Sequence, residues 1–191
     1  MSFHEYLLIF FALVVALVVG EFLTGWRDIY RHRDKITMSW LLIAWSFTAF
    51  LLMLESAWGL WLQRGGVSED SGRYYFTLIA IPIFFHVLTM LLFPRIGKGG
   101  TPDLPTHFER NREAIFLLGM AILAVYMVED LLLRGAGLWD RQNLYRLLGI
   151  FLLLVGISSG RPRVLWPLWS IVTLAVVIFI FDVRVELRDI D

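Results

Sequence analysis

Residues 6–26 read YLLIFFALVVALVVGEFLTGW, a run in which Glu21 is the one charged side chain. A helix rises about 1.5 Å per residue and a bilayer core is about 30 Å thick, so this stretch is long enough to cross a membrane. Four further segments repeat the pattern, at 38–62, 74–94, 113–133 and 164–183. A sixth, 142–159, is weaker: its unbroken apolar run begins only at Leu147, and a full span must include Asn143, Tyr145 and Arg146. The segments are hydrophobic nearly all round, the pattern of membrane spans rather than of amphipathic surface helices.

Composition points the same way. The 191 residues are 58% hydrophobic and 18% charged, with a mean hydropathy of +0.69, against about 45–50% apolar residues in ordinary globular domains. The chain is too apolar for a disordered segment. Seventeen basic residues balance seventeen acidic ones with no basic stripe, so nucleic acid is excluded as a partner. There is no cysteine, which removes disulfides, thiolate metal sites and thiol catalysis. The expectation is an all-α polytopic membrane protein: one transmembrane domain over 1–191, a bundle of six transmembrane helices in contact with the lipid bilayer.

Lysine and arginine set the orientation. None precedes the first span, whereas Arg27, Arg31, Arg33 and Lys35 follow it directly. The positive-inside rule then puts the N-terminus outside and the first loop in the cytoplasm, and six spans return the C-terminus to the outside. The first span has no basic n-region and no A-x-A site, so it reads as a retained span rather than a signal peptide. Trp26, Trp40, Trp166 and Trp169 fall near the inner boundary, and Trp58, Trp61, Tyr74, Tyr75 and Trp139 near the outer one, as an aromatic belt requires. Trp45 is deeper.

Residues 63–73 form an external Gly/Ser turn region, and 94–106 a cytoplasmic connector rich in proline and glycine. The connector ends in Thr106-His-Phe-Glu109, a capping-box pattern that starts the fourth helix before it enters the membrane. It also divides the chain into halves 1–94 and 106–191. Glu5 and Glu21 bracket the first span at the spacing at which Glu113 and Glu129 bracket the fourth. With three helices per half, a true repeat would be inverted, the arrangement that puts transporter sites at a repeat interface. Only the two glutamates and one alanine coincide over these positions, and membrane ends commonly carry charges.

Charges inside hydrocarbon cost several kcal/mol unless paired or hydrated. Glu55 shares a helical stripe with Thr48, Leu52 and Gly59; Glu129 and Asp130 lie one turn from the outer end of the fourth helix, with Tyr126 on their face. Arg146 lies at a matching depth, so the expected network joins Arg146 to Glu55, Glu129 or Asp130. One reading makes this an outward-facing polar pocket; the other makes it a device for helix packing, with Arg146 and Asp182 reaching to the interface. His86 is the one histidine within a span, on a face with Ile79, Pro82 and Thr89, and fits either a proton relay or an interhelical hydrogen bond. Glu21 and Asp182 read as boundary ion pairs, Glu21 with the cytoplasmic arginines. A path from the outer acids through His86 toward Glu21 would cross the membrane.

A single span histidine excludes bis-histidine haem within one chain, and His4, His32 and His107 show no metal-ligand spacing. No cofactor or metal is expected. Glu129-Asp130-x-x-x-Arg134 looks like the acidic motif of membrane CAAX-type proteases, but no histidine follows it. No G-x-S-x-G or H-E-x-x-H motif occurs, so an enzyme is not the expected class. The stretches F-x-E-Y, G-E-F-L-x-G-W, L-L-F-P and H-F-E-R-N-R-E-A-I-F resemble an uncharacterised family of small six-span bacterial inner-membrane proteins. The resemblance implies the bacterial cytoplasmic membrane and brings no activity or site residues. Two functional expectations remain: a small channel or transporter, proton-linked through intramembrane carboxylates, or a non-catalytic accessory, sensory or scaffold subunit. A homo-oligomer or a membrane-complex partner fits either.

Because the chain lacks cysteine, one introduced thiol reports orientation. Arg33→Cys in intact cells is expected to resist a membrane-impermeant maleimide until the cells are permeabilised; labelling of intact cells would reverse the topology.

Overall fold

The computed structural model describes residues 3–62, 72–94, 103–133, 135 and 137–188. They form six helices, α1 Phe3–Arg31, α2 Trp40–Leu62, α3 Gly72–Leu92, α4 Leu104–Leu133, α5 Arg141–Ser159 and α6 Pro162–Arg188. Among the described residues, five helices are long and apolar enough to cross a membrane, and Ile79–Leu92 of α3 is a further apolar stretch. The segment expected to be weakest, α5, is among the five and has the lowest mean hydropathy of them, 1.3, because Asn143, Tyr145 and Arg146 occupy its first turns. The chain is therefore an all-helical protein whose apolar helices suit an integral membrane protein. The outer turn region at 63–71, most of the connector, Arg134 and the side chain of Asp182 lie outside what is described.

α2 lies among the others, touching α1, α3, α4 and α6, while α4 packs most extensively on α5 and α3. In the first half α1 packs on α3. In the second, Phe116 of α4 and Leu168 of α6 both close on Gly156 of α5. Matching charges at span ends are a general property of membrane helices and do not require duplication.

Lipid tails are as apolar as leucine, so these helices gain little from hiding apolar surface and more from close fit. Glycines supply that fit. A Cβ on Gly25 of α1 would lie 2.4 Å from the Phe93 ring. One on Gly156 of α5 would lie 2.6 Å from Phe116 and 2.9 Å from Leu168, and one on Gly149 2.9 Å from Leu123. Phe116 thereby wedges between α5 and Trp45 of α2, their ring centroids 4.9 Å apart.

One end of the bundle is tied by backbone. Thr37 and Asp103 form an isolated bridge, and the Leu104 amide donates to the Thr37 carbonyl at 3.2 Å. α4 starts at Leu104, so the cap is Asp103 rather than Thr106: the Thr106 hydroxyl donates to the Asp103 carboxylate at 2.5 Å. The capping geometry sits three residues upstream of the sequence pattern because the first loop holds Asp103 in place. His107 reaches the Leu91 carbonyl of α3 at 2.9 Å. At the same end, α5 closes on Gly160 in the left-handed region (φ +56°), and Arg112 donates to the Ile157 carbonyl at 3.4 Å. A Cβ on Gly160 would meet the Arg112 guanidinium at 2.7 Å, so this turn needs glycine for both space and conformation.

Gly156→Val is expected to lower stability by about 1–3 kcal/mol through overpacking, read as thermal unfolding in detergent. Gly20→Ala, whose Cβ meets nothing within 4 Å, is expected not to lower it. Equal losses at both positions would contradict this account of the packing.

Candidate functional site

Polar side chains meet between helices at two depths. The first group lies in the half away from the bridged end. Arg146 of α5 pairs with Asp130 of α4, the two side chains 11% and 4% exposed. The same guanidinium donates to the Asn143 side-chain oxygen at 2.8 Å, and the Asn143 amide donates to the Gly137 carbonyl at 2.9 Å. Asn143 thus turns the ion pair into a short network fixed to the α4–α5 connection. The guanidinium also stands 5.7 Å from the Tyr126 ring centroid.

Of the three acids at matching depth, Asp130 forms an ion pair with Arg146. Glu129 is also buried, at 4% exposure. The Tyr126 hydroxyl is buried without a hydrogen bond of good geometry, yet Ser56 of α2 lies beside it, and Glu55, Glu129 and Arg146 are all within electrostatic reach. Ser56 donates to the Leu52 carbonyl at 2.6 Å, which leaves its oxygen free to accept. Glu55, Tyr126, Glu129, Asp130 and Arg146 therefore form one group. Among the described residues no His, Asp and Glu side chains converge as a metal site.

The second group is nearer the bridged end. Glu21 of α1, expected beside the cytoplasmic arginines, instead meets His86 of α3: its Oε2 lies 2.8 Å from His86 Nδ1 and 2.6 Å from the Thr89 hydroxyl. The reason is rotation. Gly25, one turn beyond Glu21, seats α1 against Phe93 of α3, and that contact turns Glu21 toward α3 rather than toward the loop. The Thr89 hydroxyl also lies 2.7 Å from the His86 carbonyl. It has one proton for two acceptors. With Glu21 ionised, the hydroxyl and Nδ1–H both donate to Oε2. With Glu21 protonated, the hydroxyl can turn to the His86 carbonyl while Oε2–H donates to Nδ1 or to Thr89. Each protonation pattern is reached by reorienting hydrogens, with the heavy atoms in place.

His86 thus belongs with Glu21 and Thr89 and not with the outer acids. A narrow apolar crevice of about 10 Å³, room for about one water, lies between the two groups. Ser56 lines it on one side, and Val18, Pro82 and Phe85 line it within a turn of Glu21 and His86.

The belt tryptophans divide. Trp40 and Trp166 are exposed, as anchors would be, while Trp26 donates to Ser46 at 2.8 Å and Trp169 to Thr48 at 2.9 Å. Thr48 also meets Thr173 at 2.7 Å, so Thr48 clasps α2 to α6. Thr89, Ser56, Asn143 and Thr173 carried no functional reading in the sequence. Small hydroxyls and amides in apolar helices are the available signal, and only their neighbours show which ones matter.

Compared with known proteins, the chain matches no family model, no curated protein and no solved structure. The resemblance to six-span bacterial proteins has no support from these comparisons.

Arg146→Met leaves the buried Asp130 without its guanidinium and is expected to cost about 3–5 kcal/mol. Adding Asp130→Leu is expected to restore most of that loss, measured by denaturation in detergent. A double variant as unstable as the single one would show that the pair does more than cancel its own burial.

Proposed function

We propose that this chain is a small proton-linked channel or transporter for an ion or small solute. It would span the membrane six times with its N-terminus outside, in a bacterial inner membrane. The observation that carries the reading is the apolar crevice between the two polar groups, lined by Ser56, which lies beside Tyr126, and by Val18 and Phe85, within a turn of Glu21 and His86. A protonatable station on each side of a narrow dry constriction is the arrangement a gated proton step needs. Wetting the constriction connects the stations, and drying it separates them.

Each group has its role in this reading. Arg146, Asp130 and Asn143 hold α4 and α5 together and fix the electrostatic field at the outer station. Glu55, Glu129 and Tyr126 line that station. Pro82, inside α3 and buried on the crevice, has no amide proton to donate, which weakens the helix where opening would have to bend it. Glu21, His86 and Thr89 form the inner station, where the proton moves without displacement of helices.

The buried Arg146–Asp130–Asn143 network supports the second reading, an accessory subunit of a membrane complex, because a fully satisfied network serves packing as well as it serves transport.

Purified protein in vesicles carrying an internal pH dye separates the two readings. Transport predicts proton movement above empty vesicles under an imposed gradient, falling to the empty-vesicle level in Glu21→Gln while the folded fraction is kept. Wild-type vesicles indistinguishable from empty ones under ion and solute gradients would favour the accessory reading.

A further inference from the structure

The Glu21–His86 pair uses half of its hydrogen-bonding capacity. Oε2 and Nδ1 are bonded, but Oε1 of Glu21 and Nε2 of His86 have no partner among the described residues, and neither is a buried atom. The two side chains are 37% and 39% exposed, on helices whose apolar stretches, Ile9–Arg31 and Ile79–Leu92, suit a membrane. Lipid tails offer no donor or acceptor, so this edge stays unsatisfied as long as the chain is alone.

We infer that a second copy of this chain covers the α1–α3 edge, each copy's Glu21 Oε1 accepting from His86 Nε2 of the other. The chemistry is self-complementary. An acceptor and a donor stand side by side at one depth, so a two-fold axis along the membrane normal brings each acceptor opposite the other copy's donor, and both bonds form at once. The reciprocal bonds need Nε2 protonated. This is satisfied both by an imidazolium beside a carboxylate and by a neutral imidazole accepting at Nδ1 from a protonated Glu21, so the contact persists through the proton shift within the pair.

The surface beside the pair permits the approach. Ala12, Ala16, Gly20 and Thr24 follow one another at every fourth position of α1 and are all exposed, and a Cβ on Gly20 would meet nothing within 4 Å. Two α1 helices can therefore come close enough for side chains as short as glutamate and histidine to bridge them. α1 is also the least buried of the long apolar helices, with 17% of its span covered against 39% for α2. The inference stands on unsatisfied atoms and not on transport. A dimer without flux leaves it intact, and flux from a single copy overturns it while leaving the transport reading in place.

The native chain has no cysteine, so single thiols test it directly. In vesicles, Thr24→Cys is expected to form an oxidative dimer at least about tenfold faster than Phe151→Cys on the exposed face of α5, since a held interface raises the effective thiol concentration. Wild-type protein carrying one dye per chain should bleach in two steps, and His86→Leu should shift it toward one. Equal cross-linking at both thiols, or single-step bleaching of wild type, overturns the inference. Single-step bleaching with a lipid or another protein retained at the edge overturns it too, and names the other occupant.

Discussion

A hydrocarbon surrounding offers no hydrogen bonds, and that constraint organises this bundle. Each polar side chain carried on an apolar helix must be answered by another helix or by its own backbone. Trp26 is answered by Ser46, Trp169 and Thr173 by Thr48, and His107 by the end of α3. Ser158 and Ser170 turn back to the carbonyls of their own helices. Individually such bonds contribute about 0.6 kcal/mol in membrane helices. Their value here lies in fixing rotations: a helix with apolar residues on every side has no other means of choosing which face meets its neighbour.

The glycines and the polar contacts act together. Gly25 admits Phe93, and that close approach of α1 to α3 brings Glu21 within reach of His86 and Thr89. Gly149 and Gly156 admit Leu123 and Phe116, and the resulting α4–α5 contact brings Arg146 to Asp130. Both polar groups depend on a backbone approach that a larger residue would prevent. The Arg146 network closes on itself, since Asn143 takes up one donor and is in turn fixed by Gly137. The Glu21 group does not close in this way, since Oε1 and the His86 Nε2 have no partner among the described residues.

Much of the architecture is legible in the sequence because span length and charge depth are local properties. The apolar run at 6–26 lies within α1, and the equal depth of Arg146 and the outer acids follows from counting residues along α2, α4 and α5. Rotation and adjacency are not local. Nothing near Glu21 in the chain indicates His86, sixty-five positions away, so the arginines just beyond it offered the nearer partner. Asp103, rather than Thr106, caps α4 because of a contact with the first loop that the local pattern cannot contain.

The central claim is that Glu21, His86 and Thr89 form one hydrogen-bonded group that joins α1 to α3. Nitrogen NMR of His86 in lipid vesicles, assigned by comparison with His86→Gln, tests it most directly. The account predicts that the Nδ1 signal reports a hydrogen-bonded partner and that Glu21→Gln and Thr89→Val both shift it. A His86 resonance unchanged by Glu21→Gln would contradict it.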